Sequence, residues 1–308
     1  MADNDGEHQN VRIFLWHVPR TISTALTKCL SFMDGMEVWF ECFTYCHVAR
    51  ENYIRATGEC LPTEHDGNEE TFKQAASILA SAVGGKVEAD RIVYGNIKTK
   101  MESSTSKYLL VKESVVSFSD DKVWQYLPKG FKHVFLVRDP YKVFSSYRKA
   151  LYNHLVSVGL RKGDAADERE FDLKKDDIFV KNSNEYFSMM HSMWKSIRDS
   201  TDPDPIVINA DDLLANPVEV LQKFCHLTGL PYSDSLLRWD AAPDITKTWK
   251  VASGDAIEKA VHFYGTAVTS SEFLPPKPPI SKDRLSPDAM QFAKDSMHFF
   301  EDMNEFKI

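Results

Sequence analysis

Nearly continuous apolar runs recur along the chain, each closing on polar residues. RIFLWHV (12–18), KYLLVKE (107–113) and KHVFLVRD (132–139) are the clearest; PIVINAD (205–211) is similar, and MEVWFE (36–41) is a shorter fifth. A run without polar alternation suits a strand covered on both faces, the usual condition in a parallel sheet. Between these runs the residues 22–33, 68–83, 119–127, 140–157, 178–199 and 216–228 read as helices. Strand and helix in alternation predict an α/β fold with a parallel β-sheet flanked by helices.

Two segments break the pattern. RKGDAADEREFDLKKDD (161–177) is charged and almost without apolar residues, and reads as an exposed insertion or lid. Residues 269–287 include LPPKPPISKDRLSP, an extended proline-rich arm. A last amphipathic helix is expected over 286–303, packed back on the body. No repeat and no clean linker interrupts the pattern, so the reading is a flexible tail over 1–10 followed by a single domain over 11–308.

Composition narrows the function. The chain has 308 residues, 43% of them apolar, enough for a sizeable core. A net charge of −8 argues against a general nucleic-acid binder but leaves room for a local basic pocket. No apolar run is long enough to span a bilayer. The opening MADNDGEHQN is polar and does not read as a signal peptide. The five cysteines are scattered; Cys42 and Cys46 have no second pair to complete a zinc site. Reduced thiols and a cytoplasmic location are the expectation, with no metal, no nucleic acid and no membrane partner.

The chemistry is concentrated where the first strand ends. HVPRTISTAL (17–26) turns from that strand into a helix starting near Ile22. In an open α/β sheet ligands bind outside the carboxyl ends of the strands. A helix start there aims free backbone N–H groups and a positive dipole end at the turn. Thr21, Ser23 and Thr24 could add hydroxyls, and Arg20 a guanidinium matched to phosphate or sulfonate oxygens. An ordinary capped helix is the plainer alternative. A Walker A loop is excluded, because it needs two glycines and a lysine, whereas no glycine lies between Gly6 and Gly35.

VFLVRDPYKVFSSYRKA (134–150) repeats the theme: Arg138 closes a strand, Pro140 opens a helix, and Ser146 follows eight residues after the arginine. With both stretches in view, the chain resembles the sulfotransferase superfamily, which uses 3′-phosphoadenosine 5′-phosphosulfate (PAPS). That family's first motif, commonly P-[KR]-S-[GS]-[ST]-T, corresponds to Pro19, Arg20, Thr21, Ile22, Ser23 and Thr24. Its second, R-[DN]-P with a serine eight residues on, corresponds to Arg138, Asp139, Pro140 and Ser146. INADDLLANPVEVLQKFCHLTGLP (208–231) is similar to a third family segment, with Ala210 where a tyrosine is usual. The resemblance implies a P-loop nucleotide-binding fold. It assigns the 5′-phosphosulfate of PAPS to the first motif and its 3′-phosphate to the second, with PAP as the desulfated product and a small hydroxyl or amine acceptor.

The resemblance also shows a gap. Common cytosolic enzymes carry a lysine and a catalytic histidine after the third strand; here VKES (111–114) keeps Lys112 but has Ser114 in the histidine's place. Glu41, 21 residues beyond Arg20, matches the spacing of a catalytic glutamate in protein-tyrosine sulfotransferases and in plant and bacterial relatives. Packed among Trp39, Phe40 and Phe43, its carboxyl is expected to rise toward a useful base. Glu113 and His47 are the other candidates. Ser270 or Ser271 is a further cofactor contact that the resemblance suggests. Trp16 or Trp249 is a candidate adenine-stacking ring, core packing being the alternative. The competing readings are a catalytically silent nucleotide-binding protein on the same fold and a small-molecule kinase.

Overall fold

A computed structural model describes residues 10–308 apart from 84, 242, 255, 277, 279 and 280. The expected tail over 1–10 lies outside the described residues but for Asn10, as do three positions of the proline-rich arm. The chain forms β1 (Val11–His17), α1 (Ser23–Ser31), β2 (Met36–Phe40), α2 (Cys42–Thr57), α3 (Glu69–Val83), α4 (Tyr94–Glu102) and β3 (Tyr108–Ser114). It continues through β4 (Lys132–Val137), α5 (Pro140–Ser157), α6 (Leu173–Asp176), α7 (Tyr186–Ser200) and β5 (Ile206–Asn209). It ends with α8 (Ala210–Ala215), α9 (Pro217–Thr228), α10 (Ala256–Lys259), α11 (Val261–Val268) and α12 (Pro287–Asn304).

The five strands form one sheet in the order β2-β3-β1-β4-β5, every pair parallel. The apolar runs are buried on both faces, as their lack of alternation requires. Phe14 and Trp16 of β1 join Phe43, Phe135, Phe144 and Trp194 on one side. Ile13 and Leu15 join Leu26, Leu136, Ile208 and Leu221 on the other. Each sheet edge carries an isolated backbone bridge, which covers part of it. Beyond β2, Phe40 N and Lys250 N bond across to Lys250 O and Val38 O; beyond β5, Ile308 N donates to Val207 O at 3.1 Å.

Register decides where chemistry can occur. His17 pairs with Ser114 on one side and Leu136 on the other, and Phe40 pairs with Lys112. The carboxyl ends of four strands therefore lie level. The chain leaves the central β1 toward β2 on one flank and later builds β4 and β5 on the other. The crevice between β1 and β4 is the switch point at which such sheets bind ligands.

Local departures have local causes. The helix expected over 178–199 begins only at Tyr186. Ahead of it the Asp177 carboxylate accepts the N–H groups of Phe179 and Val180 at 3.0 and 3.1 Å, a turn that competes with helix. The 119–127 helix is a 3₁₀ segment, Asp121–Tyr126. The charged stretch 161–177 is not freely exposed. Phe171 and Leu173 are buried, and Arg148 of α5 reaches Glu168, Asp288 and the Phe171 carbonyl. Among the described residues no helix is long and apolar enough to cross a membrane.

Candidate active site

A cavity of about 600 Å³ opens at the carboxyl ends of β1, β3 and β4. Its lining brings together Arg20, Ile22, Ser23, Thr24, Glu41, Lys112, Arg138, Ser146 and Ser270. Residues as distant in sequence as 20, 138 and 270 thus face one space.

The loop after β1 reaches this geometry without glycine. Arg20 and Ile22 take left-handed φ angles of 70° and 59°, a conformation costly for a β-branched residue and associated with functional sites. Ile22 then stands at the N-terminus of α1, and no side chain caps that end. Ala25 N and Leu26 N already donate to Ile22 O, so it is the Ser23 and Thr24 N–H groups that this end can offer an anion. Ser23 and Thr24 line the cavity, whereas Thr21 turns inward. Its buried hydroxyl donates to Val18 O at 2.9 Å and braces the turn instead of facing the cavity.

The second motif meets the first directly. Arg20 Nε donates to Ser146 Oγ at 3.0 Å, and Arg138 Nη1 donates to the Arg20 carbonyl at 3.0 Å. Asp139 caps α5 by accepting from Tyr141 N at 2.8 Å, which fixes where Ser146 projects. Asp211, at the start of α8, holds Arg138 from one side at 3.2 Å and Lys142 from the other at 3.0 Å. Neither Asp211 nor Lys142 was singled out from sequence. Asp211 stands one place after Ala210, so that part of the third similar segment still meets the second motif. Burial, then the neighbouring Arg138 charge, lower the Arg20 guanidinium from its ordinary value. Two guanidiniums held close and shielded from water repel each other, and a bound anion would relieve that repulsion.

At the other end of the cavity Glu41 is the hub. It lies just past β2 as the N-cap of α2, with φ 55°, not within the strand. Its carboxylate pairs with Lys112 Nζ, accepts from Tyr264 OH at 2.7 Å and lies 3.3 Å from His17 Nε2. The expectation that Glu41 would be raised is overturned. Burial pushes it up, but the Lys112 charge acts against that, and the carboxyl is held well below the usual carboxylate range. Lys112 is fully buried. His17 and Tyr264 were not anticipated; the histidine is the first residue of the quoted loop, so a signal for it was present.

The remaining candidates sort cleanly. Glu113 does not line the cavity. It caps α2 by accepting from Phe43 N and Thr44 N, both at 2.8 Å. His47 is not among the lining residues either. Ser270 lines the cavity, and its carbonyl is held by the buried Lys28 at 2.7 Å; the Ser271 carbonyl instead accepts from Trp239 N at 2.8 Å. Trp16 lies in the core with its Nε1 on His133, and Trp249 stacks on Phe40 at 4.9 Å, so neither faces the cavity. Of the aromatic residues around the second strand, Tyr45 alone lines it; Trp39, Phe40 and Phe43 are core.

Comparison with known proteins bears on these observations. A family model described as "Sulfotransferase domain" matches residues 153–304. The chain is 22% identical over 231 residues to "Branched-chain-amino-acid aminotransferase-like protein 2" of Arabidopsis thaliana, covering 75% of this chain and 32% of that protein. It therefore spans about a third of the length of the curated relative it matches. Two solved structures align along most of the chain. The sulfotransferase domain of the Synechococcus PCC 7002 olefin synthase has a TM-score of 0.40 and 15% identity, covering 92% of this chain and 93% of that one. The sulfotransferase domain from the curacin biosynthetic pathway has a TM-score of 0.40 and 14% identity, covering 92% and 96%. Over residues 153–304, just under half of its length, the chain is thus similar to the sulfotransferase domain family.

Proposed function

We propose that the protein transfers a sulfuryl group from PAPS to a hydroxyl or amine of a small acceptor. One observation carries this reading: the loop after β1 and the strand end of β4 are joined, Arg138 to Arg20 O and Arg20 to Ser146, around a single cavity. A ligand with anionic groups at two separated positions satisfies both cationic ends, and a singly charged ligand does not. The uncapped N-terminus of α1 with Ser23 and Thr24 would hold the phosphosulfate. Arg138, Ser146 and Lys142 would hold the 3′-phosphate, with Ser270 nearby. PAPS supplies the activated sulfuryl group.

Within the protein, Lys112 and Arg20 supply positive charge at the reacting end, where negative charge develops on the leaving oxygen. Glu41 is held ionised beside Lys112 and His17 at this same end of the cavity. Tyr45, Val48, Phe179, Val180, Tyr186 and Phe263 give the cavity a largely apolar part of its lining. That lining favours an uncharged acceptor with apolar or aromatic bulk.

Calorimetry with adenosine 3′,5′-bisphosphate, against ATP with magnesium, tests the reading. Clear preference for the bisphosphate supports it. Equal binding of both, or tighter binding of ATP, returns the kinase alternative.

A further inference from the structure

The cavity contains a histidine that no motif accounts for. His17 closes β1, is only 4% exposed, and lines the cavity. Its Nδ1 lies 3.0 Å from the Val18 carbonyl. A carbonyl can only accept, so this contact fixes the proton on Nδ1. In the neutral ring Nε2 then carries a lone pair. It is buried and makes no hydrogen bond of acceptable geometry, and Glu41 Oε1 lies 3.3 Å from it. That oxygen is itself an acceptor, already served by Lys112. Two acceptors thus face each other across a gap that lacks one proton. Leaving such an atom buried and unsatisfied costs about 1–3 kcal/mol, so it calls for an explanation.

We propose that His17 is the catalytic base of this site and Glu41 the carboxylate that holds the imidazolium once it forms. This deepens the sulfotransferase reading and rests on it. The acceptor O–H, or N–H, donates to Nε2. As the acceptor atom bonds to sulfur, the bond from sulfur to the bridging phosphate oxygen breaks and its electron pair stays on the phosphate. The acceptor's proton passes to Nε2, and the new cation lies against Glu41. Release of that proton to solvent resets the site, with no other co-reactant.

The division of labour fits the neighbours. Burial, then Lys112, lower the His17 imidazole from its ordinary value, which keeps it neutral and ready at neutral pH. Glu41, with donors from Lys112 and Tyr264, is already well satisfied as an anion. It is better suited to steady a positive charge than to take up a proton itself.

Long-range proton–nitrogen NMR of the intact protein, with His17→Gln to assign the signal, tests the tautomer. The expected result is a proton on Nδ1 and a bare Nε2 at neutral pH, with the imidazole harder to protonate in Glu41→Gln. A proton on Nε2, or a His17 signal indifferent to Glu41→Gln, overturns the proposal. In parallel, release of adenosine 3′,5′-bisphosphate from PAPS is followed with water as acceptor. His17→Gln should bind the bisphosphate as the unaltered protein does but lose about 10²- to 10⁴-fold in rate, together with the acidic limb of the pH profile. An unchanged rate and profile overturn the base assignment. If the unaltered protein fails to bind the bisphosphate, the sulfotransferase reading falls, and with it the base assignment, even where NMR finds the expected tautomer.

Discussion

Arg138 donates a hydrogen bond from Nη1 to the backbone carbonyl of Arg20 at 3.0 Å. The arginine of one anion-binding loop thus positions the other loop, instead of each being set by its own strand alone. Removing Arg138 should therefore damage both ends of the ligand site. Arg138→Ala is expected to weaken adenosine 3′,5′-bisphosphate binding by more than the about 1.5–3 kcal/mol of a single charged hydrogen bond. Arg138→Lys, which keeps the charge but not the fork, should recover only part of the loss. Calorimetry on the three proteins decides this; full recovery by lysine would mean that charge alone matters.

Glu41 and Lys112 are a buried ion pair, and such pairs are costly to break from one side only. Glu41→Gln or Lys112→Met alone should each destabilise the fold by about 3–5 kcal/mol, because each leaves a buried charge unpaired. Glu41→Gln with Lys112→Met removes both charges at similar volume and should cost clearly less than the two single changes summed. Urea unfolding of the single and paired variants measures the coupling. Simple additivity would mean that water reaches the pair.

The strands were legible because their sequence signal is short-range and redundant. Residues such as Ile13, Phe14, Leu15 and Trp16 are apolar in succession and are buried on both faces. Helix α5 was legible for a similar reason, since Asp139 and Pro140 mark its start chemically. Arg20, Glu41, Lys112, Arg138 and Ser146, which line one cavity, stood out in the sequence as residues at or just after strand ends within recognisable motifs or spacings. What sequence could not supply was conformation and company. Three left-handed residues, Arg20, Ile22 and Glu41, do without the glycine that would announce them. The fall of Glu41 below its ordinary range depends on Lys112, a neighbour made by β2–β3 pairing across 71 residues. Helix α2 was missed because CFTYCHVARENYIRAT mixes aromatic and β-branched residues with polar ones on a weak stripe. The charge of 161–177 concealed the two apolar anchors, Phe171 and Leu173, that pack it down.

That last segment gives a stability test. Arg148 is largely buried and ties α5 to Glu168, Asp288 and the Phe171 carbonyl. Arg148→Met keeps the aliphatic bulk but loses every one of these bonds. The 161–177 segment should then open locally at little cost to the rest of the fold. Limited trypsin digestion should show faster cleavage after Arg161 and Lys162 in the variant. Equal cleavage rates would mean that Phe171 and Leu173 hold the segment without the arginine.

Acid sensitivity follows from His133. Its ring is fully buried, and Nδ1 accepts from Trp16 Nε1 at 3.0 Å, a bond that needs neutral imidazole. Burial lowers its pKa to about 4. In the unfolded chain the same ring titrates near the ordinary value of about 6.5. Between these two values the unfolded state binds the proton and the folded state does not, so stability must fall as pH falls. Its contribution is complete above about 6.5 and is lost toward about 4, with a slope of at most about 1.4 kcal/mol per pH unit. His17, also lowered by burial, acts in the same direction. The His133 share is isolated by comparing the intact protein with His133→Gln in urea unfolding across this range. The variant should be less stable at neutral pH, having lost the ring, yet show the shallower decline toward acid. Parallel declines in the two proteins would mean that His133 keeps its ordinary pKa in the fold and that the Trp16 bond does not exclude the proton.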